Sequence, residues 1–285
     1  MSLHNKALLV SLSIGMPPMS KTLKAQSAKI EFENRTEPNQ ATVVTKLFAR
    51  QDTRGLQQAA TKARKYFKEK TLSYGRSLGI IPAKNYFNFL QDIGNFRLEF
   101  NAEKENIIRN IEEVIANARA ANGDLFDRNN YPSIAELEAN IYFSIEANPV
   151  PATNDYDKLA DLTPEEIELL KKEAVLSNQS KLESAIQDLF GRLMKGLIHA
   201  AERLKDDDNG EMKIFRDSLI GNIGKAVEAA ETLNIEDSDQ LQEFTNKIKD
   251  VFDGLSAQEL RTNSQLRKET AAKAADIAQK MSELF

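Results

Sequence analysis

Two short stretches of the chain alternate between apolar and polar residues. In residues 7–14, Leu8, Val10, Leu12 and Ile14 recur at every second position, and Ser11 and Ser13 lie on the opposite side. Residues 141–147 repeat this alternation, beginning at Ile141 and ending before Pro149. Period two is typical of a β-strand with one buried face. Because the alternation occurs in these two stretches alone, we predict that they pair as a small antiparallel β element near the amino terminus.

Most of the remaining sequence has the period of a helix. Leu56, Ala60, Ala63 and Phe67 are spaced four, three and four residues apart, which places them on one helical face. Two stretches lack any such period. Residues 19–38 are polar, and residues 73–82 hold two glycines and a proline. We expect both to be loops.

A longer apolar repeat predicts one helix over about residues 83–121. A straight helix of this length would span roughly 57 Å at 1.5 Å per residue. That exceeds a compact domain, so we expect the helix to bend near Gly94 or to pack along another long helix. Gly123 follows the repeat and is a suitable residue to end the helix.

The second half of the chain has strong helix-start sequences. Thr163 is followed by Pro164 and by Glu166, and Ser133 and Ser256 each precede a glutamate by three residues. These are capping boxes, in which side chains satisfy the free amides of the first helical turn. Leucines spaced as in a coiled coil follow over residues 182–204. We therefore predict a mainly α fold of the α+β class, with long helices and a carboxyl-terminal helical bundle.

Near residue 155 the sequence changes from mixed strand and helix patterns to acidic helical patterns, which suggests two domains. Residues 1–155 would hold the small sheet with long helices, and residues 156–285 would form an acidic helical bundle. No apolar run approaches the roughly 18 residues that a membrane span needs, and no targeting segment is recognisable. We expect a cytoplasmic protein that does not associate with membranes.

Composition removes most catalytic chemistry. The chain of 285 residues has no cysteine and only two histidines, His4 and His199. Thiolate metal sites, iron–sulfur clusters and cysteine nucleophiles are therefore excluded, and no Ser/His/Asp pattern suggests another nucleophile. His199 has glycine three residues before it, where a di-iron motif needs glutamate. We expect no cofactor, no metal site and no catalytic residue.

Two glycine-containing motifs resemble ligand loops but are incomplete. Gly224 and Lys225 lack the earlier glycine of a phosphate loop, because Leu219 occupies its place. Residues 206–210 resemble part of a calcium loop, but Lys205 and Arg216 stand at both acidic anchor positions. We expect a helix for the first and a solvated turn for the second.

Charge is distributed unevenly along the chain. Residues 1–110 hold 18 Lys/Arg against 9 Asp/Glu, a net +9, whereas residues 111–285 carry a net −14. The basic excess is densest over residues 35–76, with 10 Lys/Arg and 3 Asp/Glu, and with Tyr66, Phe67 and Tyr74 interleaved. The candidate nucleic-acid or partner contacts are Arg54, Lys62, Arg64, Lys65, Lys68 and Lys70.

Three explanations of this charge pattern stay open. Cations on an exposed stripe would favour a nucleic acid, with the aromatic residues stacking on bases or belonging to the core. Cations buried against acidic helices would favour head-to-tail self-association. The two halves could also simply be solvated surfaces of opposite charge.

Several motifs in the first 155 residues resemble a bacteriophage and prophage family, the domain of unknown function numbered 3150. The resemblance rests on residues 10–20 (VSLSIGMPPMS), 81–87 (IPAKNYF), 125–126, 131–133 and 143–151. Genes of that family tend to occur beside those of a MoxR-type AAA+ ATPase and a von Willebrand A-type protein. The resemblance implies a viral protein of no assigned activity that serves this machinery, and it defines no catalytic residues.

We therefore expect a non-enzymatic protein that acts through homo-oligomeric and protein–protein contacts, with an AAA+ ATPase as a candidate partner. The first alternative is a nucleic-acid-binding accessory of phage DNA metabolism. A host-defence antagonist is the second.

Overall fold

The computed structural model describes residues 3–207 and 210–284. It is 66% helical and 11% strand, which confirms the mainly α class with a small antiparallel sheet. The strands are β1 (Ala7–Ile14), β2 (Ser20–Thr22), β3 (Val44–Lys46), β4 (Leu72–Tyr74), β5 (Leu78–Pro82) and β6 (Phe143–Pro149). The α-helices are α1 (Lys24–Asn34), α2 (Arg54–Lys70), α3 (Tyr86–Arg109), α4 (Ile111–Asn122), α5 (Ile134–Asn140), α6 (Pro164–Leu204), α7 (Ser218–Thr232), α8 (Asp239–Phe252), α9 (Ala257–Thr262) and α10 (Ser264–Ser282).

The predicted pairing of residues 7–14 with residues 141–147 is confirmed. Strands β1 and β6 are hydrogen-bonded neighbours in a four-stranded sheet of order β4-β5-β1-β6. Just beyond their ends, the Gly15 amide donates to the Tyr142 carbonyl at 2.9 Å. The end of β1 therefore meets the start of β6, as in antiparallel strands.

The loop prediction for residues 73–82 is wrong. This segment forms most of the β4–β5 hairpin, and β5 pairs antiparallel with β1, from Ala7 opposite Pro82 to Val10 opposite Gly79. The two glycines have structural roles. Gly75 turns the hairpin at a φ of +81°. A methyl group added at Gly79 would lie 2.7 Å from Oγ1 of Thr71, so the neighbouring side chain requires glycine there.

The loop prediction for residues 19–38 is also wrong. These residues contain β2, which pairs antiparallel with β3, and the helix α1. Helix α1 buries only Ser27, so it lacks the apolar stripe by which a helix is recognised in a sequence. The predicted long helix over residues 83–121 is divided at Asn110, between α3 and α4, and not at Gly94. Gly123 ends α4 as predicted.

The chain forms two compact units. Unit 1 comprises the described residues of 1–11, 67–89 and 147–285, and unit 2 comprises residues 12–66 and 90–146. Each unit is assembled from separate stretches of sequence, and β1, α2, α3 and β6 contribute residues to both. The predicted sequence boundary at residue 155 stays a prediction.

The core of unit 1 is the predicted carboxyl-terminal bundle. The second half of α6 packs against α7 and α10, and α8 packs against both of these. The apolar stripe of α6 begins at Ala185 and continues through Leu189, Leu193 and Leu197. Alanines on α10, including Ala271 and Ala274, are buried, and their small side chains permit close helix packing.

Unit 2 has its own core beneath α2, α3 and α4. Leu47 and Phe48 are buried just before α2, and Leu56, Ala59 and Ala60 belong to the same cluster. Phe100 of α3 is fully buried, with its ring centre 5.6 Å from that of Phe143. Further members of this cluster are Ile107, Ile111, Val114, Ile115, Tyr131, Leu137 and Ile141.

Candidate nucleic-acid interface

Helix α2 separates its apolar and cationic residues onto opposite faces. Its buried residues are Leu56, Ala59, Ala60 and Ala63. Arg54, Gln58, Thr61 and Lys65 follow one another at spacings of four, three and four residues, and all are exposed. Since 3.6 residues make a turn, these positions run along the outer side of the helix.

The six predicted contact residues all lie on this helix, and none is buried. Arg54, Lys62, Arg64 and Lys65 belong to unit 2 and are exposed. Lys68 and Lys70 belong to unit 1, where Lys68 is exposed and Lys70 is partly buried. Within unit 2 the structure therefore brings four of the six predicted cations onto one helix surface.

Some of these cations contact acidic or carbonyl oxygens of the same chain. Nζ of Lys62 lies 3.0 Å from Oε2 of Glu99, and Nζ of Lys70 lies 3.0 Å from Oε1 of Glu228. Arg64 donates from Nη2 to the Ile14 carbonyl at 3.3 Å. The Lys62–Glu99 pair is half-exposed on both sides, so it contributes little stability and can exchange for another anion.

A concave surface lies along the first half of α2 and the turn before it. It has a volume of 1010 Å³, and the residues lining it, here called the α2 surface, are Arg50, Gln51, Arg54, Gln57, Gln58, Thr61 and Lys62. Three of the seven are cations, four are uncharged hydrogen-bonding residues and none is acidic. A surface of this composition attracts an anion and can donate hydrogen bonds to its oxygens.

The turn before α2 is held in place by its own side chains. Leu47 and Phe48 are buried, which anchors the chain two residues before Arg50. Oδ2 of Asp52 accepts a hydrogen bond from the Ala49 amide at 2.8 Å, so this carboxylate is engaged within the turn. Gln57 donates from Nε2 to Oγ1 of the buried Thr53 at 3.0 Å. These contacts fix Arg50 beside the helix.

A carboxylate of α3 approaches the beginning of α2. A methyl group added at Gly55 would lie 2.1 Å from Oε2 of Glu103, so a side chain at this position would displace the end of that flexible glutamate. A negative charge is favourable at a helix amino terminus. Because Glu103 already occupies that end, an external anion would contact the side chains of the α2 surface and not the backbone amides.

The aromatic residues of the basic segment are engaged in packing. Tyr66 donates its hydroxyl to Oδ2 of Asp92 at 2.6 Å and packs against Phe96, with ring centres 5.4 Å apart. Burial, followed by the Asp92 carboxylate, raises the pKa of Tyr66. Tyr74 is buried and donates to Oδ1 of Asn178 at 2.8 Å. The α2 surface thus offers charge and hydrogen bonds without an aromatic stacking platform.

The prediction from sequence missed five residues of the α2 surface, which are Arg50, Gln51, Gln57, Gln58 and Thr61. Projecting residues 54–65 onto a helix opposite the Leu56, Ala60 and Ala63 face would have identified Gln58 and Thr61. Arg50 lies outside α2, and no periodic pattern links it to the helix. Its position depends on the burial of Leu47 and Phe48.

The two glycine-containing motifs lie in a helix and beside an ion pair. Gly221, Gly224 and Lys225 lie inside α7, so they form no phosphate loop. Asp206 pairs with Arg267 and Lys268, while Asp208 and Asn209 lie outside the described residues. Among the residues that the structure describes, no group of three or more His, Cys, Asp or Glu side chains could hold a metal ion. No helix within the same residues is long and apolar enough to cross a membrane.

No protein family, curated protein or solved structure matches the chain. The resemblance to the phage family therefore stays a hypothesis that rests on the sequence motifs.

Proposed function

We propose that this protein is a non-enzymatic binding protein whose α2 surface contacts the phosphate backbone of a nucleic acid. The observation that carries the proposal is the concave surface lined by Arg50, Arg54 and Lys62, with four uncharged polar side chains and no carboxylate. These three cations are exposed, which favours contact with a nucleic acid. Burial of the same cations against acidic helices would have favoured self-association.

The attraction comes from the grouping of charge and not from net charge. Unit 2 holds 15 Lys/Arg and 15 Asp/Glu and is neutral overall. The cations of α2 are concentrated on its outer side, where they can track a phosphate backbone. Because Tyr66 and Tyr74 are engaged in packing, base stacking adds nothing at this surface. We therefore expect binding that depends on salt and is indifferent to base sequence.

The test is fluorescence anisotropy with labelled 30-nucleotide single-stranded and double-stranded DNA over a salt series. Three neutralised phosphates predict a slope of log K against log salt of about −2.7 for duplex DNA and about −2 for a single strand. The triple variant Arg50→Ala, Arg54→Ala, Lys62→Ala should flatten this slope towards zero and weaken binding at low salt.

The matched control is Arg97→Ala with Arg109→Ala. Both arginines are exposed residues of α3 in unit 2 that do not line the α2 surface. This variant should bind as the unaltered chain does. Absence of binding at 50 mM salt with about 100 µM protein would reject the proposal, since non-specific complexes form at or below this concentration. Equal weakening by both variants would also reject it.

A second candidate function, self-association, is favoured by the first part of α6. The buried residues of α6 begin at Ala185, so its first 21 residues bury none. Leu169 and Leu176 lie two turns apart on one side and are each 59% exposed, with Val175 nearby at 47%. An exposed apolar helix face is a common protein-contact surface.

A second copy of the chain fits this face by charge. If two copies pair antiparallel about a two-fold axis, aligning Leu169 with Leu176 also aligns Lys172 with Glu173 of the other copy. The contact is then self-complementary, as a two-fold interface must be. An adaptor role towards an AAA+ ATPase would need a protein-contact surface of the same kind, and it rests on the family resemblance alone. Each of these functions belongs in the cytoplasm, which is the host's cytoplasm if a phage encodes the chain.

A further inference from the structure

A second cationic cavity lies in unit 1, apart from the α2 surface. His199 and Arg203 are four residues apart on α6 and therefore share one side of the helix. Both line a cavity of 430 Å³, together with Arg216 from the segment before α7. All three side chains are exposed. Within the described chain, no acidic side chain pairs with any of the three.

The acidic residue nearest to Arg216 in sequence is engaged elsewhere. Oδ1 of Asp217 lies 2.6 Å from Nη2 of Arg261. Arg261 also donates to the Phe215 carbonyl at 2.9 Å, and its guanidinium lies 5.1 Å from the centre of the Phe215 ring. These contacts fix the segment that carries Arg216, and they direct the Asp217 carboxylate to Arg261.

The rest of the cavity lining is partly apolar and partly hydrogen-bonding. Phe215 and Leu219 are buried and contribute the apolar part, and Ile214 is 88% exposed at its edge. Ser218 and Asn222 add a hydroxyl and an amide from the beginning of α7. The volume is within the range of small-molecule sites, which combine apolar walls with a few polar anchors.

We propose that this cavity binds a small organic phosphate. Arg203 and Arg216 would hold the phosphate, because the planar guanidinium donates two parallel hydrogen bonds to phosphate oxygens. His199 and Asn222 would add donors, and the organic part would cover Ile214, Phe215 and Leu219. The site is in a different unit from the α2 surface, so this inference does not depend on nucleic-acid binding.

The two histidines make this proposal directly testable by NMR. In ¹H–¹³C spectra of the full chain, each imidazole gives one ring Cε1–H signal, and His4→Gln assigns both. Titration with AMP at constant ionic strength should move the His199 signal to saturation and leave His4 in place. Inorganic phosphate should move the same signal with at least about tenfold weaker affinity, because it cannot cover the apolar wall.

Arg203→Ala and Arg216→Ala should each weaken AMP binding by about tenfold or more, since each removes a charge-assisted contact. The control is Arg76→Ala with Lys273→Ala, two exposed cations of unit 1 that do not line the cavity. An unmoved His199 signal at 10 mM AMP would overturn the proposal. So would equal affinity for AMP and inorganic phosphate, or equal binding by the arginine variants and the control.

Discussion

Arg267 is a buried cation whose charge is compensated by a residue distant in sequence. Its side chain is 5% exposed, and its Nη2 lies 2.6 Å from Oδ1 of Asp206, just after α6. Lys268 lies 3.0 Å from the other oxygen of the same carboxylate. Hydrogen bonds from Lys268 and from Arg267 hold the pKa of Asp206 below its usual range. The ionised carboxylate therefore links the end of α6 to α10.

We predict that Asp206→Asn lowers the stability of the chain at pH 7, because it leaves the buried Arg267 without its counter-charge. A depressed folded-state pKa stabilises the fold above the unfolded-state value of about 3.9, and this contribution disappears as pH falls through the folded-state pKa. The difference in urea midpoint between the two proteins should be constant from pH 7 to pH 5 and should shrink below pH 4.

Asp250→Asn, at an exposed position of α8, is the control and should change little at any pH. Equal midpoints of Asp206→Asn and the unaltered chain at pH 7 would show that the contact contributes nothing. A difference that persists unchanged at pH 2 would show that its effect is not electrostatic.

At the scale of elements, local sequence rules correctly predicted the features that depend on contacts between residues close in sequence. The capping boxes at Ser133, Thr163 and Ser256 are all present, each with its glutamate three residues later. The β4–β5 hairpin was missed because Gly75 and Gly79 are loop-favouring residues by local rules. The pairing of β5 with β1, and the packing of Thr71 beside Gly79, are contacts that local rules do not contain.

Glycine substitutions should distinguish a glycine inside a helix from a glycine that a hairpin turn requires. Gly94 lies within α3, and a methyl group added there meets nothing within 4 Å. Gly94→Ala should therefore raise the free energy of unfolding by about 1 kcal/mol, the helix-propensity difference. Gly75→Ala should lower it by about 1–2 kcal/mol, because an L-residue is strained at positive φ. Urea denaturation measures both free energies. If Gly94→Ala instead lowered the free energy of unfolding, the result would support the bend in the helix that the sequence predicted at Gly94.

At the scale of the whole molecule, composition and periodicity predicted the class of fold and the β1–β6 pairing. They did not predict the two compact units, since each unit combines stretches that are far apart in sequence. The same limit applies to the sites. The cations of α2 were recognised because they are consecutive on one helix, whereas Arg203 and Arg216 are separated by the break after α6. Only the packing of α7 against α6 brings such residues together.

Self-association is the property in which the charge distribution and the exposed leucines make different predictions. A head-to-tail contact between the basic and acidic halves would dissociate at high salt, because the Debye length at 500 mM is about 4 Å. A two-fold contact through α6 would be apolar at Leu169 and Leu176, with Lys172 and Glu173 at its edge, and would largely persist in salt. The exposed leucines lead us to expect the two-fold form.

Light scattering of about 50 µM protein at 50 mM and 500 mM salt should therefore report a dimer under both conditions. Leu169→Glu with Leu176→Glu should give a monomer, because it places two charges at the centre of the contact in each copy. Leu159→Glu is the control, since this apolar residue is also exposed but precedes α6. An assembly that dissociates at 500 mM salt and is unaffected by the substitutions in α6 would indicate the head-to-tail contact. A monomer at 50 mM salt would reject self-association through either surface.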